Sequence, residues 1–153
     1  MAQTSKVSMP GLLAYSVRIG EALDLQISRE LRNRIPGMSR AQAEVLLLLE
    51  RRKNADMSSL ARDLQKDPGT MTTVVQALYR KGLLDRNASI ENRRTYSVRL
   101  KPEGKALARR CLALYRKVEQ ELQSNLSDST QILSVLEGFY IQLKQKGYLP
   151  YPD

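Results

Sequence analysis

The chain has 153 residues, 42% of them hydrophobic and 27% charged, which suits one compact soluble domain or a core domain with a small lobe. Its 25 Lys and Arg outnumber 16 Asp and Glu. The resulting +9 favours a polyanionic partner, nucleic acid or an anionic membrane surface, although many basic proteins bind neither. No histidine and a single cysteine, Cys111, exclude an intramolecular disulfide and a Cys/His zinc site within one chain, and remove the commonest general base.

Residues 1–10 read as a loose polar tail. They carry no hydrophobic run of signal-peptide length, and the longest aliphatic run, Val45–Leu49, is far too short to span a bilayer. The expected location is therefore cytoplasmic, with no membrane partner. Leu12, Leu13, Val17, Ile19, Leu23, Ile27 and Leu31 follow a helical spacing, which Ile35-Pro36-Gly37 breaks. Ser39 and Gln42 have the S-x-x-Q spacing of a capping box, and the helix they open turns Val45, Leu46 and Leu49 inward. Lys53-Asn54-Ala55-Asp56 reads as a polar connection. A short helix over about Ser58–Leu64 follows, with Leu60, Ala61 and Leu64 inward.

Asp67-Pro68-Gly69-Thr70 is the sharpest local signal. Asp is a strong N-cap and Pro suits the first helical position, so the next helix starts at Pro68. Met71, Val74, Val75 and Leu78 form its buried stripe, and Gly82 ends it. The period then changes. Leu83–Asn87 is a strand candidate, and Thr95–Leu100 alternates, with Tyr96, Val98 and Leu100 on one side. The stretch Ala88–Arg94 between them makes a hairpin with an exposed tip. Pro102 opens a long helix with Leu107, Cys111, Leu114, Val118 and Leu122 apolar. After a break at Asn125–Ser129, a last helix runs to about Lys146 with Ile132, Leu133, Leu136, Phe139, Tyr140 and Leu143 apolar, and Gly147 stops it.

Short helices, a capped helix after a tight turn and a two-stranded hairpin make a winged helix-turn-helix. The expected fold is mainly α with a small β-hairpin wing: a winged helix-turn-helix DNA-binding lobe at 38–101, and a helical dimerisation region from 11–37 and 102–147. Tails at 1–10 and 148–153 complete the chain. Gly69, Thr70, Thr72, Thr73 and Gln76 are the outward residues of the capped helix. Gln can pair with adenine and Thr methyls can meet thymine methyls, or the face is merely solvated. Residues 80–110 hold ten Lys or Arg against three Asp or Glu. The tip Asn92-Arg93-Arg94 fits insertion of arginine into a narrow minor groove; the plainer reading is a basic tip needed only for solubility.

Taken together these residues resemble the MarR (multiple antibiotic resistance regulator) family. The resemblance covers about 38–108. It rests on Met38-Ser39-x-x-Gln42-x-x-Val45-Leu46, on Leu60-Ala61-x-x-Leu64 and on Met71-Thr72-x-x-Val75-x-x-Leu78-x-x-Lys81-Gly82-Leu83-Leu84-x-Arg86. Asn92-Arg93-Arg94 with Val98-Arg99-Leu100 and Gly104 complete it. Asn92 stands where the family has a wing aspartate, and Lys101 where it usually has Thr. The resemblance implies a triangular homodimer paired through the first, fifth and sixth helices, binding a roughly palindromic duplex DNA operator. The apolar stripes of those helices independently call for burial by a second copy or by an intramolecular three-helix bundle.

Many members resembling this chain release DNA on binding a small phenolic or acidic effector. Tyr15, Arg18 and Tyr115 are the candidate pocket residues, against the plainer reading, which we favour, that the tyrosines pack a dimer core and Arg18 is solvated. Peroxide-sensing relatives use a cysteine in the first helix. Cys111 lies instead at an apolar position of the fifth, where a buried inert thiol is the default. No metal, cofactor or enzymatic activity is expected, since the sequence has no G-x-G-x-x-G, P-loop or G-x-S-x-G. The competing function is a winged-helix module that docks an acidic protein partner.

Overall fold

A computed structural model describes residues 11–88 and 96–148; within them the side chains of Leu12, Leu13, Asn87, Ala88 and Tyr96 are outside the described set. Residues 1–10 and 149–153 of the two expected tails, the hairpin tip with Asn92, Arg93 and Arg94, and the expected burial of Leu12, Leu13 and Tyr96 therefore lie outside what is described. The chain divides into two units, 1–40 and 41–153.

The first unit is α1 (Gly11–Arg34) and the turn that follows it. Leu31, Ile35 and Met38 are buried, whereas Val17, Ile19 and Leu23 of the expected stripe are exposed. Gly37 takes φ +79, a left-handed conformation that glycine adopts without steric penalty, and so turns the chain after α1. An Arg40–Asp24 ion pair of 2.5 Å and the Arg34–Glu30 pair of 2.8 Å lie on its surface.

The second unit holds α2 (Arg40–Arg52, from its second residue), β1 (Asn54–Asp56), α3 (Met57–Asp63), α4 (Pro68–Arg80), β2 (Leu84–Ala88), β3 (Tyr96–Leu100), α5 (Pro102–Asn125) and α6 (Ser129–Gln145). Its core is built from Val45, Leu46 and Leu49 of α2, Leu60 and Ala61 of α3, and Met71, Val75 and Leu78 of α4. Leu84, Val98 and Leu100 of the sheet close it. The helical stripes read from the sequence are therefore the ones that meet, with Val74 and Leu64 only half-buried at their margins.

One element departs from the sequence reading. The polar connection at Lys53–Asp56 contains β1, which pairs antiparallel with β3 through Asn54↔Arg99, Ala55↔Val98 and Asp56↔Ser97. The sheet is thus three-stranded, in the order β1-β3-β2, rather than a two-stranded hairpin. A strand this short shows no alternation of its own; only Ala55 is buried, and its partner lies far along the chain. Asp56 closes β1 and caps α3 as well, its Oδ1 accepting from the Ser59 backbone N–H at 2.8 Å.

The entry to α5 is tight. Lys101 N–H donates to the Leu83 carbonyl at 3.0 Å. A Cβ on Gly104 would lie 2.2 Å from that same oxygen, so only glycine lets the first turn of α5 sit against the start of β2. From there α5 buries Gly104, Ala108, Cys111, Leu114 and Val118. Leu107 and Leu122, expected inward, are half-buried and exposed. The buried stripe keeps the small residues that a close approach requires.

The last helix differs in kind. α6 buries none of its residues; Leu133 is 57% and Val135 65% exposed, and Ile132, Leu136, Tyr140 and Ile141 are exposed as well. Gly147, at φ +70, ends α6, with its N–H on the Lys144 carbonyl and that of Tyr148 on Leu143.

Candidate nucleic-acid interface

The site is organised by the N-terminus of α4. Asp67 sits in extended conformation before the helix, and Pro68 occupies the first turn. One carboxylate oxygen accepts from the Thr70 backbone N–H at 2.8 Å, and the other from the Thr70 hydroxyl. These bonds, the hydroxyl's first, hold the Asp67 carboxyl below its usual range. The end of α4 is anchored too, since Lys81 Nζ donates to Gln42 Oε1 of α2 at 3.1 Å. The helix is thus capped at its start and tied to α2 at its end, with Met71, Val75 and Leu78 buried in the core.

That anchoring leaves Gly69, Thr70, Thr72 and Thr73 exposed, as expected from the sequence. Their hydroxyl protons are already in use. Thr72 Oγ1 donates to the Pro68 carbonyl at 2.8 Å, and Thr73 Oγ1 to that of Gly69 at 3.2 Å. With the proton turned back along the helix, each of these threonines offers a ligand its methyl group and oxygen lone pairs. The face is small, uncharged at its centre and shaped for close approach.

Gln76, expected on the same outward face, is half-buried. Its Oε1 accepts from Arg86 Nη2 of β2 at 2.9 Å. The Arg86 guanidinium carbon also lies 4.6 Å from the centre of the Tyr79 ring, a cation–π contact. Arg86 shares the sheet face of Leu84, opposite Val98, and that face turns toward α4. Arg86 and Tyr79 were not among the site residues read from the sequence. Alternation from Leu84 along the strand is the signal that could have placed Arg86 on the inward face; that Gln76 and Tyr79 meet it is a property of the packing of α4 on β2.

Other basic residues of the 80–110 stretch have acidic partners. Arg99 donates to Asp85 at 2.9 Å across the β2–β3 pair, which holds the Asp85 carboxyl below its usual range. Arg109 lies 3.8 Å from Glu50. Part of the local positive charge therefore braces the fold. Arg80, at the end of α4, and Lys101 and Lys105, at the start of α5, are exposed.

The remaining candidates are placed as follows. Tyr15 and Arg18 are exposed and lie one turn apart on α1, and Tyr115 is half-buried on α5. Cys111 is fully buried, and burial pushes its thiol up, which disfavours the reactive thiolate. Among the described residues no group of three or more Cys, Asp or Glu could hold a metal ion, and no helix is long and apolar enough to cross a membrane.

This geometry has counterparts. Residues 38–96 match the model of the MarR family. Over 146 residues the chain is 29% identical to a protein of Thauera aromatica assigned as the transcriptional regulatory protein for the hcr operon, covering 93% of this chain and 87% of that one. The fold is similar to Staphylococcus aureus MepR in complex with DNA, with a TM-score of 0.75 and 21% identity over 86% of this chain and 97% of that one. It is also similar to NadR in complex with 4-hydroxyphenylacetate, with a TM-score of 0.69 and 20% identity over 94% and 97% of the two chains. The matched segment spans α2 to the start of β3, the part in which α4 is capped, anchored and flanked by the wing strands. Residues 38–96 are thus similar to the MarR family, and the fold is a winged helix-turn-helix like that of the regulators it resembles.

Proposed function

We propose that the protein binds duplex DNA as a homodimer, with α4 entering the major groove and the hairpin tip reaching the adjacent minor groove. The observation that carries this reading is the small, exposed face of Gly69, Thr70, Thr72 and Thr73 on a helix that is capped at its start and tied to α2 at its end. A groove-binding element needs a surface that approaches closely and does not move. Asn92, Arg93 and Arg94 are the wing residues in this proposal. The similar MepR is in complex with DNA, which supports DNA as the partner.

The proposed lobes are 38–101 for DNA and 11–37 with 102–147 for dimerisation. The exposed apolar residues of α1 and α6, and an open groove of about 530 Å³ lined in part by Leu126, Ile132, Val135 and Leu136, support burial by a second copy. Two copies of α4 would then face successive major grooves, so the operator is a rough palindrome. Release by a small phenolic or acidic molecule near Tyr15, Arg18 and Tyr115 belongs to the same proposal, supported by the hydroxyphenylacetate bound to NadR. The protein acts in the cytoplasm and has no enzymatic role.

The test is the salt dependence of duplex binding. Affinity falls steeply with salt, and Arg94→Ala reduces the log–log slope by about 1 while Lys146→Ala leaves it unchanged. Equal losses in both variants would remove the wing from the interface. No duplex binding at any salt would return the reading to a protein-docking module.

A further inference from the structure

The link between Arg86 and Gln76 bears on which base the helix reads. A guanidinium has donors only, so the atom of Gln76 that faces Arg86 Nη2 at 2.9 Å is the carbonyl oxygen and not the amide nitrogen. The contact is part-buried, and Arg86 is held from a second side by the Tyr79 ring, 4.6 Å away. Tyr79 lies one helical turn beyond Gln76 on the same flank of α4, so one arginine braces both. With one lone pair of the oxygen engaged by a charged donor in a part-buried contact, the NH₂ group is the less encumbered end of Gln76.

Paired recognition of adenine by glutamine needs both ends of the amide: the oxygen accepts from N6–H and the nitrogen donates to N7. Arg86 competes for the first of these. Guanine presents N7 and O6, both acceptors, on the same edge. We propose that Arg86 is a positioning residue for base selection, which turns Gln76 into a donor and makes guanine the preferred base at the step it reads. This rests on the proposal that α4 enters the major groove, and it revises the adenine pairing that the glutamine alone suggested.

A randomised-duplex selection with the full chain decides it, using wild type, Arg86→Met and Gln76→Glu. Thermal unfolding checks that each variant is folded. The wild type enriches guanine at one position in each half-site. Arg86→Met, which keeps an unbranched stem and loses the donor, moves that position toward adenine by about tenfold in relative enrichment. Gln76→Glu, a near-isosteric change, offers only acceptors and moves the same position to cytosine or adenine, whose edges donate. A role of Arg86 in stability alone would lower the unfolding temperature without changing the base. Guanine retained in Arg86→Met overturns the proposal. So does a wild-type preference for adenine at the position that Gln76→Glu alters. Should Arg86→Met fail to fold, guanine retained in Gln76→Glu overturns it by itself. A wild type that binds duplex but selects no base at this step overturns the role of Gln76 alone; one that binds no duplex overturns the groove-binding reading and this inference with it.

Discussion

α4 and α6 both carry apolar residues at helical spacing, yet they end differently. α4 buries Met71, Val75 and Leu78, whereas α6 buries nothing, although its apolar residues are larger and more numerous. Periodicity states which residues seek burial and says nothing about what supplies it. For α4 the supplier is the same unit: α3 packs on one side and β2 on another. Among the described residues none of the α6 stripe is buried, which leaves apolar surface open to a partner. The first helix completes a fold, while the second presents an unfinished surface that we assign to a second copy.

The largest expected effect on this contrast comes from the filled stripe. Leu78→Ala removes a fully buried side chain and costs about 2–5 kcal/mol in chemical denaturation. A cost under about 1 kcal/mol would mean that the α4 stripe is loosely packed. Next comes Gly104→Ala. Its new methyl group would meet the Leu83 carbonyl, so α5 or β2 must shift, at a cost of roughly 1–3 kcal/mol by the same measurement. Unchanged stability would show that the close approach is not maintained in solution.

The open stripe should answer differently. Leu133→Ser with Leu136→Ser replaces exposed side chains, so the unfolding free energy of the isolated chain changes by only about 0.5 kcal/mol per site. Sedimentation measurements should instead show weaker self-association, together with a loss of cooperative operator binding. Unfolding as severe as in Leu78→Ala, with no change in association, would place α6 in the core of its own chain and erase the contrast.

The smallest effect concerns the caps. Hydrogen bonds hold Asp67 below its ordinary value, and the Ser59 bonds do the same for Asp56. A carboxyl lowered in the folded state contributes stability that is complete above its unfolded value, about pH 4, and is lost as pH falls through the lower folded value. The thermal midpoint should therefore drop below about pH 4. Asp67→Asn keeps a cap but not the charge, so its deficit relative to the wild type should be present at pH 7 and shrink in acid. A deficit independent of pH would mean that the ionised form of Asp67 has no special role.

Local chemistry made much of this molecule legible from its residues. Asp67-Pro68 fixed the start of α4, because an N-cap carboxylate and a proline at the first turn satisfy or remove donors that a helix start leaves open. Gly82, at φ +72, and Gly147, at φ +70, marked the ends of α4 and α6, since a left-handed residue is nearly always glycine. The outward threonines followed from a period of 3.6 set against a buried stripe. Each of these signals involves residues within a turn or two of one another.

Contacts between distant segments belonged to the tertiary structure. β1 exists because its backbone meets β3, and three residues carry too little pattern to announce that pairing. Likewise the sequence supplied a glutamine and an arginine, but only the packing of α4 on β2 brought Arg86 to the carbonyl of Gln76. Propensities and caps act through neighbours along the chain, so a sequence states them directly. Hydrogen-bond partners across a fold depend on how whole elements seat together, and that is set by the sum of many small packing terms that no short motif encodes.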